Sequence, residues 1–538
     1  MRALSALKVA GHACPARTAR GCAIWSRVLA GIACVAAAAP VLADNWKFTT
    51  SVSATETYTS NVNYSAQGSA DSDFATSVSA ALGINGEGAR AKINGSIAVT
   101  GLLYARQTQN NSFAPTVNLT GNLEAIEKFL FVDAQANISQ TFYSPFGPQP
   151  GNLVNATANR YTSQVYSVSP YVKGRVGGTN VSYQLRDDNI WSIASQFGDS
   201  SIEAPNTYLN RLYGSLDSPA APWGWTIDYT GTRYAPSGQD IYGSYTIQIG
   251  RGIVSYQFNP QLQLSARGGY ESNRFPFTSS EGPTYGVGGQ WYPTDRTQVS
   301  GFWEHRFFGS SYSAQFSHRL PRTSMTASFS RGLNTYPQNA LSIPAGANVA
   351  SFVDAAFTTR IPDPAERALA VQQFLAQSGL PPTLASPVNI FAANIQLQDS
   401  ASASLVLIGV RNSLAFNVYY LKSQAISGTG SVLPPVLQFG QNNTQTGGGV
   451  SLSHRLSGLT NLTASATYST TTSNATEGLF ADARSNNGYV SLDLGHQLGP
   501  KTNVSTGVNY TRFVPRGGAN ATTTSSSVNL YAGINHTF

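Results

Sequence analysis

Cysteine is scarce in this sequence and poorly placed for chemistry. The 538 residues contain three, Cys14, Cys22 and Cys34, all within the first 43. If that stretch is removed as a leader, no disulfide, thiolate metal site or cysteine nucleophile remains. Charge is scarce too. Only 11% of residues are Asp, Glu, Lys or Arg, against about 25% in an average soluble protein. That argues against a soluble enzyme and against a long disordered tail. Long apolar runs are missing as well: beyond residue 43 nothing reaches the roughly 18 apolar residues that a spanning helix needs. What is plentiful is Gly (50), Tyr (26) and Phe (25), together with Ser, Thr and Asn. These residues suit strands and turns.

Residues 1–43 have the pattern of a secretory signal. Arg2, Lys8, Arg17, Arg20 and Arg27 precede an apolar run from Val28 to Ala39. Pro40 ends any helix there. Val41-Leu42-Ala43 places cleavage before Asp44. A lipobox ending at Cys34 is a poor alternative, because Gly31 opens it badly. An uncleaved anchor is another, and the apolar run is too short for one. The leader carries five basic residues and no acids, so the mature chain falls from +7 to +2. The basic balance is largely a leader effect, and nucleic acid is not an expected partner.

Residues 44–538 alternate with period two in segments of about 10 to 14 residues. Val528, Leu530, Ala532, Ile534, His536 and Phe538 share one face; Asn529, Tyr531, Gly533 and Asn535 share the other. Val504–Tyr510, Val490–Leu494, Leu462–Tyr468, Leu414–Tyr420 and Leu130–Ile138 repeat the pattern. Each strand therefore has an apolar and a polar side. A soluble sandwich would alternate likewise. Three features favour a barrel. Connections alternate in length: short turns at 86–88, 176–179, 259–260, 293–295, 320–322 and 499–501 follow every second strand, and longer polar loops follow the others. Aromatics gather near strand ends, at Phe142-Tyr143, Trp223 and Trp225, Trp291-Tyr292, Phe307-Phe308, and Tyr510 with Phe513. Tyr531, Gly533, His536 and Phe538 resemble the C-terminal assembly signal of bacterial outer-membrane barrels, with an aromatic last residue.

The expected fold is all-β: a transmembrane, antiparallel, up-and-down outer-membrane β-barrel of about 22 strands, within a range of roughly 18 to 24. An even count puts both termini in the periplasm. Two stretches resist the pattern. Ala403–Val410 is apolar on both faces, and the 296–320 hairpin is short. Residues 336–398 break it altogether. Asp363, Pro364 and Glu366 read as a helix start, and Gly379 with Pro381-Pro382 as its stop. A weaker helix is expected over Val349–Phe357. This insertion is expected to be extracellular or to plug the lumen, and a lid without a ligand is the alternative.

The stretch Arg360-Ile361-Pro362-Asp363-Pro364-Ala365-Glu366-Arg367, with Val371, Phe374-Leu375, Gly379-Leu380-Pro381 and the downstream Leu407-Ile408-Gly409-Val410-Arg411-Asn412, resembles the outer-membrane proteins associated with the PEP-CTERM/exosortase system. Its distinctive part covers residues 350–412. The resemblance implies a barrel linked to exopolysaccharide export or surface assembly. It brings no catalytic residues.

Chemistry is sought and not found. There is no phosphate-binding Gly-rich loop and no HExxH. His305, His318, His454, His496 and His536 form no ligand cluster. His305 is expected to pair near Ala314, in a hairpin turning near Gly309-Ser310. His454, His496 and His536 fall near periplasmic strand ends, as an interfacial ring would. Ser453 and His454 are adjacent and so face opposite sides of a strand, which is wrong for a lipid hydrolase. No plug domain precedes the expected strands, which argues against a plug-bearing receptor. No enzyme activity, cofactor or metal is expected. Alternation puts Lys92, Arg106, Arg186, Arg211, Arg267, Arg306 and Arg319 in the lumen with Asp133, Asp228, Glu304 and Asp493. That basic surplus would favour anions, unless the charges pair across strands to stiffen the wall. The expected role is a pore or accessory for exopolysaccharide, gated by the insertion. A non-conducting surface scaffold or adhesion barrel and a small-solute porin are the alternatives. Expected partners are outer-membrane lipid and lipopolysaccharide, the barrel assembly machinery through the C-terminal strand, exopolysaccharide and periplasmic export components.

Overall fold

A computed structural model describes residues 45–196, 206–236, 244–275, 279–342, 347–378, 380–381, 383–390, 395–426, 442–475, 482–517 and 523–538. The expected signal at 1–43, its cleavage site and Gly379 lie outside them.

Twenty-two strands run from β1 (Asn45–Thr59) to β22 (Ser525–Thr537), each antiparallel to the next. β1 closes the cylinder by pairing with β22, from Ser51↔Thr537 to Thr59↔Asn529. Closure removes both sheet edges, so no row of backbone donors faces lipid. Outward side chains are apolar and exposed: Val52 and Val78 on the first two strands, Val254 and Val287 midway, Val528, Leu530 and Ile534 on the last. Inward neighbours are Ser, Thr, Asn and Gln. A soluble sandwich would have covered that apolar face. Aromatic pairs stand at both rims of the apolar band, Trp223–Tyr256 (4.7 Å) at one and Tyr58–Phe74 (5.3 Å) at the other, as girdles at a bilayer interface do.

One end of the barrel carries tight turns, among them 260–261, 295–296, 321–322 and 500–501; the other carries long connections such as 143–159 and 335–395. Asn45 and Phe538 lie at the turn end. The short hairpin differs from expectation: β13 (Thr297–Arg306) meets β14 (Gly309–Leu320) around residues 307–308, so His305 faces Ser310, not Ala314. The turn comes two residues earlier than expected, which shifts the register by four residues on one arm. Some strand-end aromatics also depart from the girdle reading. Tyr143, Phe307 and Phe513 point inward and pack under loops.

The connection between β15 (Thr323–Asn334) and β16 (Gln396–Ile408) holds three helices: α1 (Tyr336–Leu341), α2 (Val349–Phe357) and α3 (Pro364–Ser378). A Thr335/Gln338 capping box starts α1, a helix the periodicity did not suggest. Asn348 caps α2. Asp363 caps α3, accepting from the Glu366 N–H at 2.8 Å. On α2, Val349, Phe352, Val353 and Ala356 are buried, the spacing of one helix face. That face packs on Val371 of α3 and on Val406, Ile408 and Ala415, which point into the lumen. Here lies the reason β16 is apolar on both sides: one side meets lipid, the other meets the insertion.

At the seam, Gly533 stands opposite Thr55. A Cβ there would come within 2.5 Å of Thr55 Oγ1 and 3.2 Å of the Ala54 carbonyl. Gly533→Val should therefore destabilise the barrel by about 1–3 kcal/mol and lower its urea unfolding midpoint. Ala532→Val, one residue away on the lipid face, should not. Val406→Asn with Ile408→Asn should free the insertion inside an intact barrel, read as new trypsin cleavage after Arg360 while the barrel keeps its heat-modifiable migration.

Candidate functional site: the lumen

The lumen has two unlike walls. From β5 (Leu130–Phe142) to β13 the wall is charged. Arg186 on β7 (Ser182–Gln196) bridges Asp133 at 2.5 Å and Asp188 at 2.6 Å. Arg211 on β8 (Thr207–Ser218) takes the other oxygen of Asp188 at 2.6 Å. Arg251 on β10 (Tyr245–Asn259) holds Asp228 at 2.9 Å and reaches across to Glu304 at 3.3 Å. Arg306 reaches back to Glu271 on β11 (Leu262–Arg274) at 2.9 Å. Arg267 makes no ion pair among the described residues; its guanidinium lies over the Phe302 ring at 4.3 Å.

Small inner faces let these arginines lie flat. Gly269 of β11 sits opposite Arg251, and Gly286 of β12 (Ser279–Thr294) sits between Arg267 and Glu304. A Cβ on Gly269 would press to 2.9 Å of the Arg251 side chain. Two strands without inward bulk are what allow Arg251 to span from β10 to β13.

The alternation reading brought Asp133, Arg186, Arg211, Asp228, Arg267, Glu304 and Arg306 to this belt. It missed Asp188, Arg251 and Glu271, although the same parity would have found them. With these three included, the belt holds five arginines and five carboxylates. The expected basic surplus is gone: two of the three missed residues are acids, and Lys92, Arg106 and Arg319 lie outside the belt. These last three residues lie at the rims. Arg106 follows the end of β3 (Ala91–Tyr104) at the loop rim and pairs with the buried Asp73 at 3.7 Å. Lys92 faces inward but sits at the turn end, paired with Glu87. Arg319 also lies there, donating to the Asp295 carbonyl at 2.9 Å. Rims accommodate charge in water without any partner in the bore. Asp493 lies apart on β20 (Arg484–Gly499), accepting from Ser491 at 2.8 Å.

The opposite wall, β15 to β22, is lined by hydroxyls and amides, and onto it two segments fold inward. The insertion is one. Arg367 ties α3 to α2 through Asp354 at 2.7 Å and through the carbonyls of Ile361 and Pro362. Phe374 meets Phe357 edge-on at 5.7 Å, and Arg360 lies over the Phe357 ring. Arg360, Asp363, Arg367 and Phe374 thus hold the insertion together; Pro364 occupies the first turn of α3. The Ser453 hydroxyl donates to the Ser378 carbonyl. Gln445 pairs through both amide atoms with the backbone of Val388, at 2.9 and 3.1 Å. On the far side of the bore, Tyr336 of α1 meets the Tyr161 hydroxyl at 2.8 Å and Ser163 at 2.5 Å on β6 (Arg160–Arg175). Burial pushes the Tyr336 phenol above its ordinary range, so it stays neutral. The insertion therefore crosses the bore from wall to wall.

Loop 143–159 is the second inward segment. Its Asn155 amide nitrogen donates to Thr59 at 3.0 Å and Ser527 at 3.1 Å, and its oxygen accepts from Asn529 at 3.1 Å. Arg160, 2% exposed, donates to four carbonyls of the same loop, those of Pro150, Asn152, Leu153 and Asn155. A buried arginine in a carbonyl cage has no sequence signature beyond its position at a strand start. Together the two segments roof the loop end. The turn end differs. Asn85, Asn94, Ser96, Asn118 and Thr120 face inward and are exposed, so the lumen is open to solvent from there.

His454, His496 and His536 stand on the outer face at the turn end, and His318 joins them. Each Nδ1 meets a side chain at the start of the neighbouring strand: Asn412 at 2.5 Å and Thr460, Thr502 and Thr297 at 2.9 Å. Ser453 faces in and His454 faces out, as adjacent strand residues must. Tyr531 covers Gly507, and His536 packs edge-on against Phe538 at 4.9 Å.

Asp188→Ala would leave Arg186 and Arg211 without their shared carboxylate. It should cost about 2–4 kcal/mol, read as a lowered urea midpoint. Arg319→Ala at the rim should cost under about 0.5 kcal/mol.

No protein-family model matches the sequence, and no curated protein sequence matches it. Solved structures of similar shape exist. The FrpB iron transporter from Neisseria meningitidis is 10% identical, with 93% of this chain and 82% of that chain covered and a TM-score of 0.47. The siderophore receptor PirA from Pseudomonas aeruginosa is 8% identical, with 92% and 81% covered and a TM-score of 0.42. A ferric enterobactin receptor (PfeA) mutant from the same species is 10% identical, with 91% and 80% covered and a TM-score of 0.43. Similarity at this level transfers no function. The closed even-stranded cylinder, its exposed apolar band, its aromatic rims and its sorted connections are the chain's own evidence, and they make it an outer-membrane β-barrel.

Proposed function

We propose that the barrel is a pore or accessory for exopolysaccharide at the outer membrane, with the turn end in the periplasm and the insertion acting as its gate. The observation that carries this reading is the asymmetry of the bore: open and polar from the turn end, roofed by α1–α3 at the loop end. A barrel of 22 strands is wide enough to pass a chain once emptied. The insertion is held by hydrogen bonds to Tyr161, Ser163, Gln445 and Ser453 and by an apolar patch of Val406, Ile408 and Ala415, all of them wall side chains outside the backbone pairing, so its release leaves the wall intact. The similarity of residues 350–412 to proteins of exopolysaccharide systems supplies the cargo. The evenly balanced belt argues against strong selection of small anions, and so against a simple anion porin.

One observation favours the scaffold reading instead. Loop 143–159 is a second inward segment, fixed by Asn155 and Arg160, and a barrel closed twice has less need of a gate.

Planar-bilayer conductance separates the two. The mature protein should be nearly silent, and a variant lacking residues 338–396 should open a large, weakly selective channel. Val406→Asn with Ile408→Asn, which keeps the full chain, should give frequent openings. Silence in all three folded proteins would establish the scaffold reading.

A further inference from the structure

Arg267 is the one arginine of the belt with no ion pair among the described residues. Arg251 holds Asp228 and the Oε2 oxygen of Glu304, and Arg306 holds Glu271, while Glu304 Oε1 is buried without a partner among them. Arg267 makes no hydrogen bond among the described residues either, and its Nε is buried without a partner. The Phe302 ring at 4.3 Å fixes the plane of the guanidinium without using its N–H groups. A cation held this way stands out in a belt whose four other arginines each have a carboxylate.

The surroundings are those of a binding site. Arg267 lines a pocket of about 240 Å³ in the β11–β14 wall, with Gln263, Gln290, Gln315 and Ser300 as its hydrogen-bonding groups. Gln290 and Gln315 are exposed inside the bore, so the pocket opens to the solvent-filled half. Ser300 and Gln315 also line a second pocket of about 220 Å³, which ends on Ser351 and Phe352 of α2. The two make one groove, running from the free arginine to the gating helix. Amide and hydroxyl side chains recognise hydroxyl groups. A guanidinium fork recognises a carboxylate through two parallel bonds. A groove longer than one ring takes a chain.

We propose that this groove binds an acidic oligosaccharide, with a uronate carboxylate on Arg267 and ring hydroxyls on Gln263, Gln290 and Gln315. The site deepens the conduit reading above and rests on it for the polymeric nature of the ligand. It makes Arg267 the residue that selects acidic over neutral chains. It also places the far end of a bound chain against α2, the element that closes the bore.

The test is isothermal titration of the full mature protein in detergent with tetragalacturonate and, as the neutral counterpart, maltotetraose. Tetragalacturonate should bind and maltotetraose should bind at least ten-fold more weakly. Arg267→Gln should weaken tetragalacturonate at least ten-fold and bring the two sugars level. Arg267→Lys, which keeps the charge and loses the fork, should fall between. Arg319→Gln, at the rim, should leave binding unchanged and so control for net charge. Heat-modifiable migration confirms that each variant is folded. Equal binding of the two sugars, equal binding by wild type and Arg267→Gln, or no binding of either at millimolar concentration would each overturn the proposal. Binding at Arg267 in a barrel that never conducts would overturn the conduit reading and leave the site standing.

Discussion

A cylinder of 22 strands encloses more space than its own side chains can fill. Every other feature of the molecule answers that constraint. The outer surface meets hydrocarbon and must be apolar. The backbone must be paired all the way round, which β1 and β22 complete. Inside, a wide polar bore must be filled with water, with charge networks or with chain. This protein uses all three, in different places. Water occupies the turn half, ion pairs stiffen one wall, and folded chain covers the other.

The two walls differ because they bear different loads. Strands β5–β13 have no helix lying along them through the middle of the bore, and there arginines tie neighbouring strands together. Arg186, Arg211, Arg251 and Arg306 each reach one to three strands, and the longest span, that of Arg251, crosses Gly269 and Gly286. Across the bore the insertion does the bracing, and the wall needs only hydroxyls, amides and the apolar patch of Val406, Ile408 and Ala415. The burial of Val349, Phe352 and Val353 contributes about 1.5–3 kcal/mol per side chain. This is enough to hold the insertion in place, and small beside the backbone pairing of the cylinder. A hierarchy follows: a wall held by backbone pairing, and an insertion held to it through side chains.

Residues 360–367, with Val371 and Phe374, lie in the insertion, while residues 407–412 lie in the wall, at the end of β16 and the turn that follows it. Asp363 starts α3, Arg367 clasps α2 to α3, and Phe374 and Arg360 pack on Phe357. Their work is to give the insertion a fixed shape.

Much of the fold was legible in the sequence, because a strand facing two solvents must alternate and a short turn must carry turn residues. Alternation gave the strand faces, the strand number and the inward position of seven belt residues. A weaker helix was legible over Val349–Phe357, and helix capping gave the start at Asp363. Chemistry that depends on distance was not legible. Parity says that Arg186 and Arg251 point inward; it does not say that Asp188 lies between two arginines or that Glu304 is within reach of β10. The surplus of positive charge read from parity vanished once Asp188 and Glu271 were counted and Lys92, Arg106 and Arg319 were found at the rims. The doubly apolar Ala403–Val410 was a visible anomaly whose cause lay 50 residues upstream in α2. The sequence by itself determined a membrane barrel with an insertion, since lipid on one face and water on the other impose a local rule on every strand. Only the tertiary structure decided that the insertion crosses the bore, that the charges cancel and that Arg267 is left free, since those outcomes depend on which side chains meet across a closed cylinder.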